Sequence, residues 1–184
     1  MSKVYVFLAQ GFEEIEALTV VDLLRRAKID VSTVSITAEH AVTGSHRIPV
    51  TADLAIGEAD FAACDMIVLP GGIPGTPNLE ASAPLMAALD DFHAKGKYIS
   101  AICAAPSIFA HKGYLKGLDA CCNPSFEEHL TAGGAHVLHQ NVVVSGNIIM
   151  SRAMGTAADF GLAIIERFQG REAAETMSRK ILHS

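Results

Sequence analysis

Lys97-Tyr98-Ile99-Ser100-Ala101-Ile102-Cys103-Ala104-Ala105-Pro106-Ser107-Ile108-Phe109-Ala110-His111 is the stretch that decides the fold. Its first six residues are apolar and β-prone, and the eight after Cys103 read as a helix. Only a sharp strand-to-helix turn joins the two with no loop residues between. Such a nucleophile elbow needs small residues two places either side of the nucleophile, and Ala101 and Ala105 occupy those places. A thiol at this point faces a helix N-terminus, whose free N–H groups and partial positive charge favour the thiolate. The competing reading is a buried packing cysteine.

Outward from this turn, strands and helices alternate. Lys3–Leu8 reads as a strand, Glu13–Lys28 as a helix and Val31–Ile36 as a second strand. Ala41–Thr51, turning at Gly44, reads as a hairpin at a sheet edge. Met66–Leu69 is a short strand ending in Pro70-Gly71-Gly72, and Ala83–Lys95 is an amphipathic helix. Strands Asn141–Ser145 and Ile148–Ser151 are joined by Gly146-Asn147. Helices Thr156–Phe168 and Arg171–His183 close the chain, with Thr156 and Asp159 spaced as a capping box. This alternation implies an α/β sandwich with a mostly parallel sheet, read as one domain over residues 1–184. Ligands in such folds bind beyond the carboxyl ends of the strands. Gly11 to Glu16, Pro70 to Gly75 and Cys103 all fall at such ends, which favours an active site.

The 184 residues are half hydrophobic and only 18% charged, which excludes disorder. A net charge of −6 argues against nucleic acid as a partner. The apolar run Val4–Ala9 is too short to span a bilayer and leads into Gln10-Gly11-Phe12-Glu13-Glu14, which is not a cleavage region. A cytoplasmic protein without a membrane partner is expected. Cys64, Cys103, Cys121 and Cys122 are expected as free thiols, with Cys121 and Cys122 as packing residues, because no C-x-x-C pair exists. Among eight histidines, His129, His136 and His139 lack the His-Glu-x-x-His spacing, so no metal is assigned there.

Two further elements carry chemistry. Glu13, Glu14 and Glu16 open the first helix, where acids also simply compensate the dipole. Glu14 leads to Leu18, Val21 and then the charged Arg25. Glu16 leads to Val20, Leu23 and Ala27, and Glu13 to Ala17, Val20 and Leu24. A carboxylate on a core-facing stripe has a raised pKa, which suits a proton carrier beside a thiolate. Glu16 and Glu13 compete for this role, with Glu16 slightly ahead. Gly71-Gly72 offers bare amides for an anion nest, or for an oxyanion hole with the amide of Ala104. No G-x-G-x-x-G or Walker motif is present, so no nucleotide cofactor is implied.

Gly11-Phe12-Glu13-Glu14-Ile15-Glu16-Ala17, Val68-Leu69-Pro70-Gly71-Gly72 and Ala101-Ile102-Cys103-Ala104-Ala105-Pro106 resemble the three signature segments of the ThiJ/PfpI superfamily. Within it they are similar to the DJ-1-like branch that includes bacterial ThiJ/YajL. Ser151-Arg152, Gly155-Thr156 and Phe160–Ile165 resemble the family's last strand and helix. The resemblance implies a flavodoxin-like three-layer sandwich, usually a homodimer, with Cys103 as reactive cysteine, Glu16 as its buried partner, and Gly72 and Ala104 as oxyanion amides. PfpI-type proteases carry a histidine directly after the cysteine. Here that residue is Ala104, so peptidase activity is not expected. A family histidine before a proline corresponds to Asn123-Pro124, and Asn hydrogen-bonds but does not shuttle protons. A basic residue that helps bind anions falls near His46-Arg47. The activities implied are cofactor-independent hydration of methylglyoxal to lactate and release of methylglyoxal adducts from thiols and amines. The rival is a peroxide sensor or redox-regulated chaperone in which Cys103 becomes a sulfinate. Nothing in these residues supports phosphorylated-thiazole binding.

Overall fold

A computed structural model describes residues 2–183. In chain order the elements are β1 (Lys3–Leu8), α1 (Glu14–Arg26), β2 (Asp30–Ser35), β3 (Ala41–Thr43), β4 (Pro49–Thr51), β5 (Leu54–Ala55) and β6 (Met66–Leu69). There follow α2 (Gly75–Glu80), α3 (Ala83–Ala94), β7 (Tyr98–Ile102), α4 (Pro106–His111), β8 (Asp119–Ala120) and α5 (Glu127–Ala132). The chain continues through β9 (His136–Val137), β10 (Val142–Ser145), β11 (Ile148–Ser151), α6 (Ala157–Gln169) and α7 (Arg171–Lys180).

Among the described residues, seven strands form one sheet in the order β10-β11-β7-β6-β1-β2-β5. All neighbours run parallel except the edge pair β10–β11. A parallel sheet covered on both faces needs strands that are apolar throughout, and Val4 to Leu8, Met66 to Leu69 and Ile99 to Ile102 are all buried. The pleat divides β1 between two cores. Val4, Val6 and Leu8 pack with Val20 and Leu24 of α1 and Phe160 and Ile164 of α6. Tyr5 and Phe7 share the opposite core with Leu89 and Phe92 of α3 and Ile108 and Phe109 of α4. The strand order reverses between β1 and β6. Their carboxyl ends, with that of β7, bring the loops after Leu8, Leu69 and Ile102 together at the switch point, where such folds bind ligands.

Several expectations are corrected. The Ala41–Thr51 hairpin forms, but β3 and β4 pair as a separate two-stranded sheet, and β5 is the edge strand. Its turn instead folds over the start of α1, with Ser45 N–H donating to Phe12 C=O (2.8 Å). The elbow is a three-residue turn, because α4 begins at Pro106 rather than at Ala104. Thr156 does not cap α6 with its side chain. Its hydroxyl accepts from the Arg152 and Ala153 amides (3.2 and 3.1 Å), which fixes the loop after β11, and Asp159 instead accepts from Asn141 Nδ2 (3.0 Å). The short elements β5, β8, β9, α2 and α5 left no clear periodicity in sequence.

Candidate active site

Cys103 sits past the end of β7 with φ of 66°, in the left-handed region that non-glycine residues enter at a cost of about 1–3 kcal/mol. Both of its flanks hold it there. Its N–H donates to Ser151 C=O at the end of β11 (3.1 Å), and its C=O accepts from Asn123 N–H (2.9 Å). Ala101 and Ala105, the small neighbours the elbow demands, are fully buried. The thiol is partly exposed, whereas Cys64, Cys121 and Cys122 are buried and all four are free.

The structure brings Glu16 to this thiol and separates the three acids of α1. Glu13 is the N-cap residue, and its Oε2 accepts the Glu16 N–H at 2.7 Å. Glu14 faces the hairpin turn, accepting from the His46 and Ile48 amides (2.8 and 3.4 Å) and contacting His46 Nδ1 (3.1 Å). Its pKa is lowered, because these hydrogen bonds together outweigh the burial that would raise it. Glu16 is only 1% exposed, and its Oε2 accepts from Gly71 N–H at 2.8 Å. The Cys103 thiol and the Met154 amide also lie close to this carboxyl and favour its charged form. Burial raises its pKa from 4.5 to about 7, against the lowering effect of those donors.

Cys103 does not behave as the helix-terminus argument alone implies. Burial first, then the neighbouring Glu16 charge, push the thiol up to about 12, and the Ala104 and Gly72 amides that face it oppose them only partly. Two buried acids in contact do not both ionise. The pair therefore holds one proton between sulfur and carboxyl once the first is lost, and a thiolate requires a protonated Glu16.

The glycines close the site. A Cβ on Gly71 would lie 2.7 Å from Cys103 Cβ and 2.8 Å from Glu16 Oε2, so no side chain fits between the pair. Gly72 has φ of +93°, and a Cβ there would meet Glu13 N at 2.5 Å. The two amides do not converge on one point. That of Gly71 is taken by Glu16, which leaves those of Gly72 and Ala104 at the sulfur.

Asn123 lies beside Cys103 through its main chain. Its Oδ1 accepts from Ser125 N–H (3.1 Å) and caps the single turn Pro124–Phe126. His46 is held by Glu14, and Arg47 occupies the exposed tip of the hairpin turn, with φ of 64°. The Met154 and Ser151 contacts were not found by sequence reasoning, because both come from main-chain atoms.

The DJ-1/PfpI family model matches residues 2–167. The chain is 37% identical over 181 residues to protein DJ-1 homolog B of Arabidopsis thaliana, covering 98% of this chain and 41% of that relative, so it spans less than half of that protein's length. Glutathione-independent glyoxalase DJR-1.2 of Caenorhabditis elegans is 31% identical over 172 residues, with 92% and 89% of the two chains covered. The solved structure of oxidized Toxoplasma gondii DJ-1 superposes with a TM-score of 0.94 at 34% identity over 100% of both chains. The sandwich is thus the flavodoxin-like fold of DJ-1 structures. Matched over most of its length in sequence and throughout in fold, the chain belongs to the DJ-1/PfpI family.

Proposed function

We propose that this protein is a cofactor-independent 2-oxoaldehyde hydratase and deglycase acting through Cys103 with Glu16. The observation that carries the reading is the Glu16 carboxyl buried beside the Cys103 thiol, with its pKa pushed up by burial to about 7. A standing thiolate is then unnecessary. As sulfur attacks the aldehyde carbon of methylglyoxal, its proton passes to Glu16, and the developing oxyanion lies against the Gly72 and Ala104 amides. Protonated Glu16 returns that proton to give a hemithioacetal. Moving a proton from the aldehyde carbon to the adjacent keto carbon, through an enediol, converts the hemithioacetal to a thioester. Water cleaves the thioester to lactate and the free thiol. The balance is one methylglyoxal and one water in, one lactate out, with no external oxidant. An early adduct on a thiol or amine enters the same route when the Cys103 sulfur bonds to the aldehyde carbon, the C–S or C–N bond to the carrier breaks, and the carrier leaves as free thiol or amine with the proton that Cys103 gave up through Glu16. The C. elegans relative named a glutathione-independent glyoxalase supports this substrate class. Lactate formation from methylglyoxal by the wild type and by Cys103→Ser tests it.

A second reading, a peroxide sensor or redox-regulated chaperone, is favoured by the same donors. A Cys103 sulfinate would accept from the Gly72 and Ala104 amides and from protonated Glu16. We place the protein in the cytoplasm as a homodimer. Among the described residues no helix is long and apolar enough to cross a membrane. Ile15, Leu18, Ile48 and Met154 are exposed, and cavities beside α1 join them into an apolar patch suited to a second copy. Sedimentation equilibrium reads the assembly state.

A further inference from the structure

The histidine that the fold pairs with His129 is His111, not His136 or His139. His111 ends α4, His129 lies on α5, and the two are 18 positions apart in sequence. His111 Nε2 lies 2.9 Å from His129 Nδ1, with ring centroids 5.0 Å apart and planes at 66°. On the far side of His111, its Nδ1 lies 2.7 Å from Glu80 Oε1 at the end of α2. Phe126 stacks on the His129 ring with centroids 5.6 Å apart.

The protons in this chain follow from Glu80. An ionised carboxylate only accepts, so His111 carries its proton on Nδ1 and presents a lone pair at Nε2. His129 fills that position by donating from Nδ1. If His129 moves its proton to Nε2, two imidazole lone pairs face the same point from two helices. Tetrahedral zinc with Zn–N of 2.0–2.1 Å needs the nitrogens about 3.3 Å apart, an opening of about 0.4 Å. Both rings are solvent-exposed, so water can complete the coordination. A carboxylate on the outer nitrogen of a ligand histidine is the arrangement that fixes tautomer and raises ligand basicity in metal sites. Glu80 supplies it.

We propose that His111 and His129, oriented by Glu80, form a surface site for a divalent first-row transition ion of imidazole preference, such as Zn²⁺ or Ni²⁺. The site is separate from the chemistry at Cys103 and acts as a staple between α4 and α5. The other group of candidate ligands among the described residues, Glu13, Glu14 and His46, is already committed. Glu13 caps α1, and Glu14 takes the hairpin amides. Hard cations such as Mg²⁺ have no reason to prefer two imidazoles.

The test is thermal unfolding of the chelator-treated full chain carrying Cys103→Ser, so that the thiol takes no metal. Zinc and nickel are each titrated to 1 mM, and imidazole ¹⁵N spectra are recorded in parallel. The unfolding midpoint should rise saturably, because an ion that binds only the folded state stabilises it. The His111 Nε2 and His129 Nδ1 resonances should shift, and Mg²⁺ should do neither. His129→Ala, an exposed helix position, should abolish the rise. Glu80→Gln should weaken binding at least about tenfold. No rise at 1 mM zinc or nickel would overturn the proposal, and so would a rise that persists undiminished in the His111→Ala/His129→Ala double variant.

Discussion

Glu16→Gln should make the protein more stable above neutral pH while slowing its turnover. The carboxyl titrates near 4.5 when unfolded and about 7 when folded, because burial penalises its charge. Between these values the folded state keeps a proton that the unfolded state has released. Stability therefore falls as pH rises through the window from 4.5 to 7, and the penalty is fully present above it. The gap corresponds to about 3 kcal/mol. Gln carries no charge at any pH, and its carbonyl still accepts from Gly71 N–H, so the variant lacks this dependence. The stability difference, variant minus wild type, should grow by up to about 3 kcal/mol from pH 4.5 to pH 8. For a chain of this size that is an unfolding midpoint difference widening by about 6–12 °C. Thermal unfolding of both proteins at half-unit pH intervals reads it directly. Lactate formation should fall well over tenfold in the same variant, since proton transfer is lost. Parallel midpoint curves for the two proteins across this range would refute the burial argument. Unchanged turnover in folded Glu16→Gln would remove Glu16 from the mechanism.

Three further outcomes follow from the same geometry. Two equivalents of peroxide per chain should add two oxygens to Cys103 before Cys64, Cys121 or Cys122, the other three being buried. Peptide mapping that finds Cys121 or Cys122 oxidised first reverses that ranking. Gly71→Ala would place a methyl within 2.8 Å of both Cys103 Cβ and Glu16 Oε2. It should lower stability by about 1–3 kcal/mol and slow both turnover and peroxide oxidation, and unaltered kinetics would contradict the packing described. Asn123→His should speed methylglyoxal turnover by adding a group that titrates near neutrality, with little change in peroxide reactivity. The same change removes the Oδ1 cap on Ser125 N–H and should cost about 0.5–2 kcal/mol. Flat turnover with the imidazole in hydrogen-bond reach of Cys103 would defeat the proton-shuttle argument.

The parts of this account legible in sequence are those written by periodicity. The alternation of strands and helices, the turn at Cys103 and the apolar stripe beneath Glu16 all depend on which face of an element a residue occupies. Val20 and Leu23, which follow Glu16 on that stripe, are buried with it. The tie between Glu16 and Glu13 was not legible, since the sequence opens the helix at Glu13, whereas the fold starts it at Glu14 and spends the Glu13 carboxylate on capping. Main-chain direction was not legible. Nothing in Gly71-Gly72 says that one amide turns to Glu16 and the next to Cys103. The capping pattern at Thr156 misled because its hydroxyl serves the loop before the helix rather than the helix itself. Contacts between distant elements were equally hidden. Glu14 meets a hairpin turn some thirty residues away, and the sequence grouped His129 with His136 and His139 by proximity when the fold gives it to His111.

The central claim is that the Cys103–Glu16 pair turns over a 2-oxoaldehyde. Its most direct test is lactate produced from methylglyoxal in amine-free buffer by the wild type, Cys103→Ser and Glu16→Gln, each confirmed folded. The wild type should form many equivalents of lactate per chain, one for each methylglyoxal consumed, with Cys103→Ser at the buffer background and Glu16→Gln more than tenfold slower than the wild type. Lactate formation by Cys103→Ser at the wild-type rate would contradict the account. A wild type that makes none while its Cys103 is cleanly oxidised by peroxide would also contradict it, and would leave the sensor reading in its place.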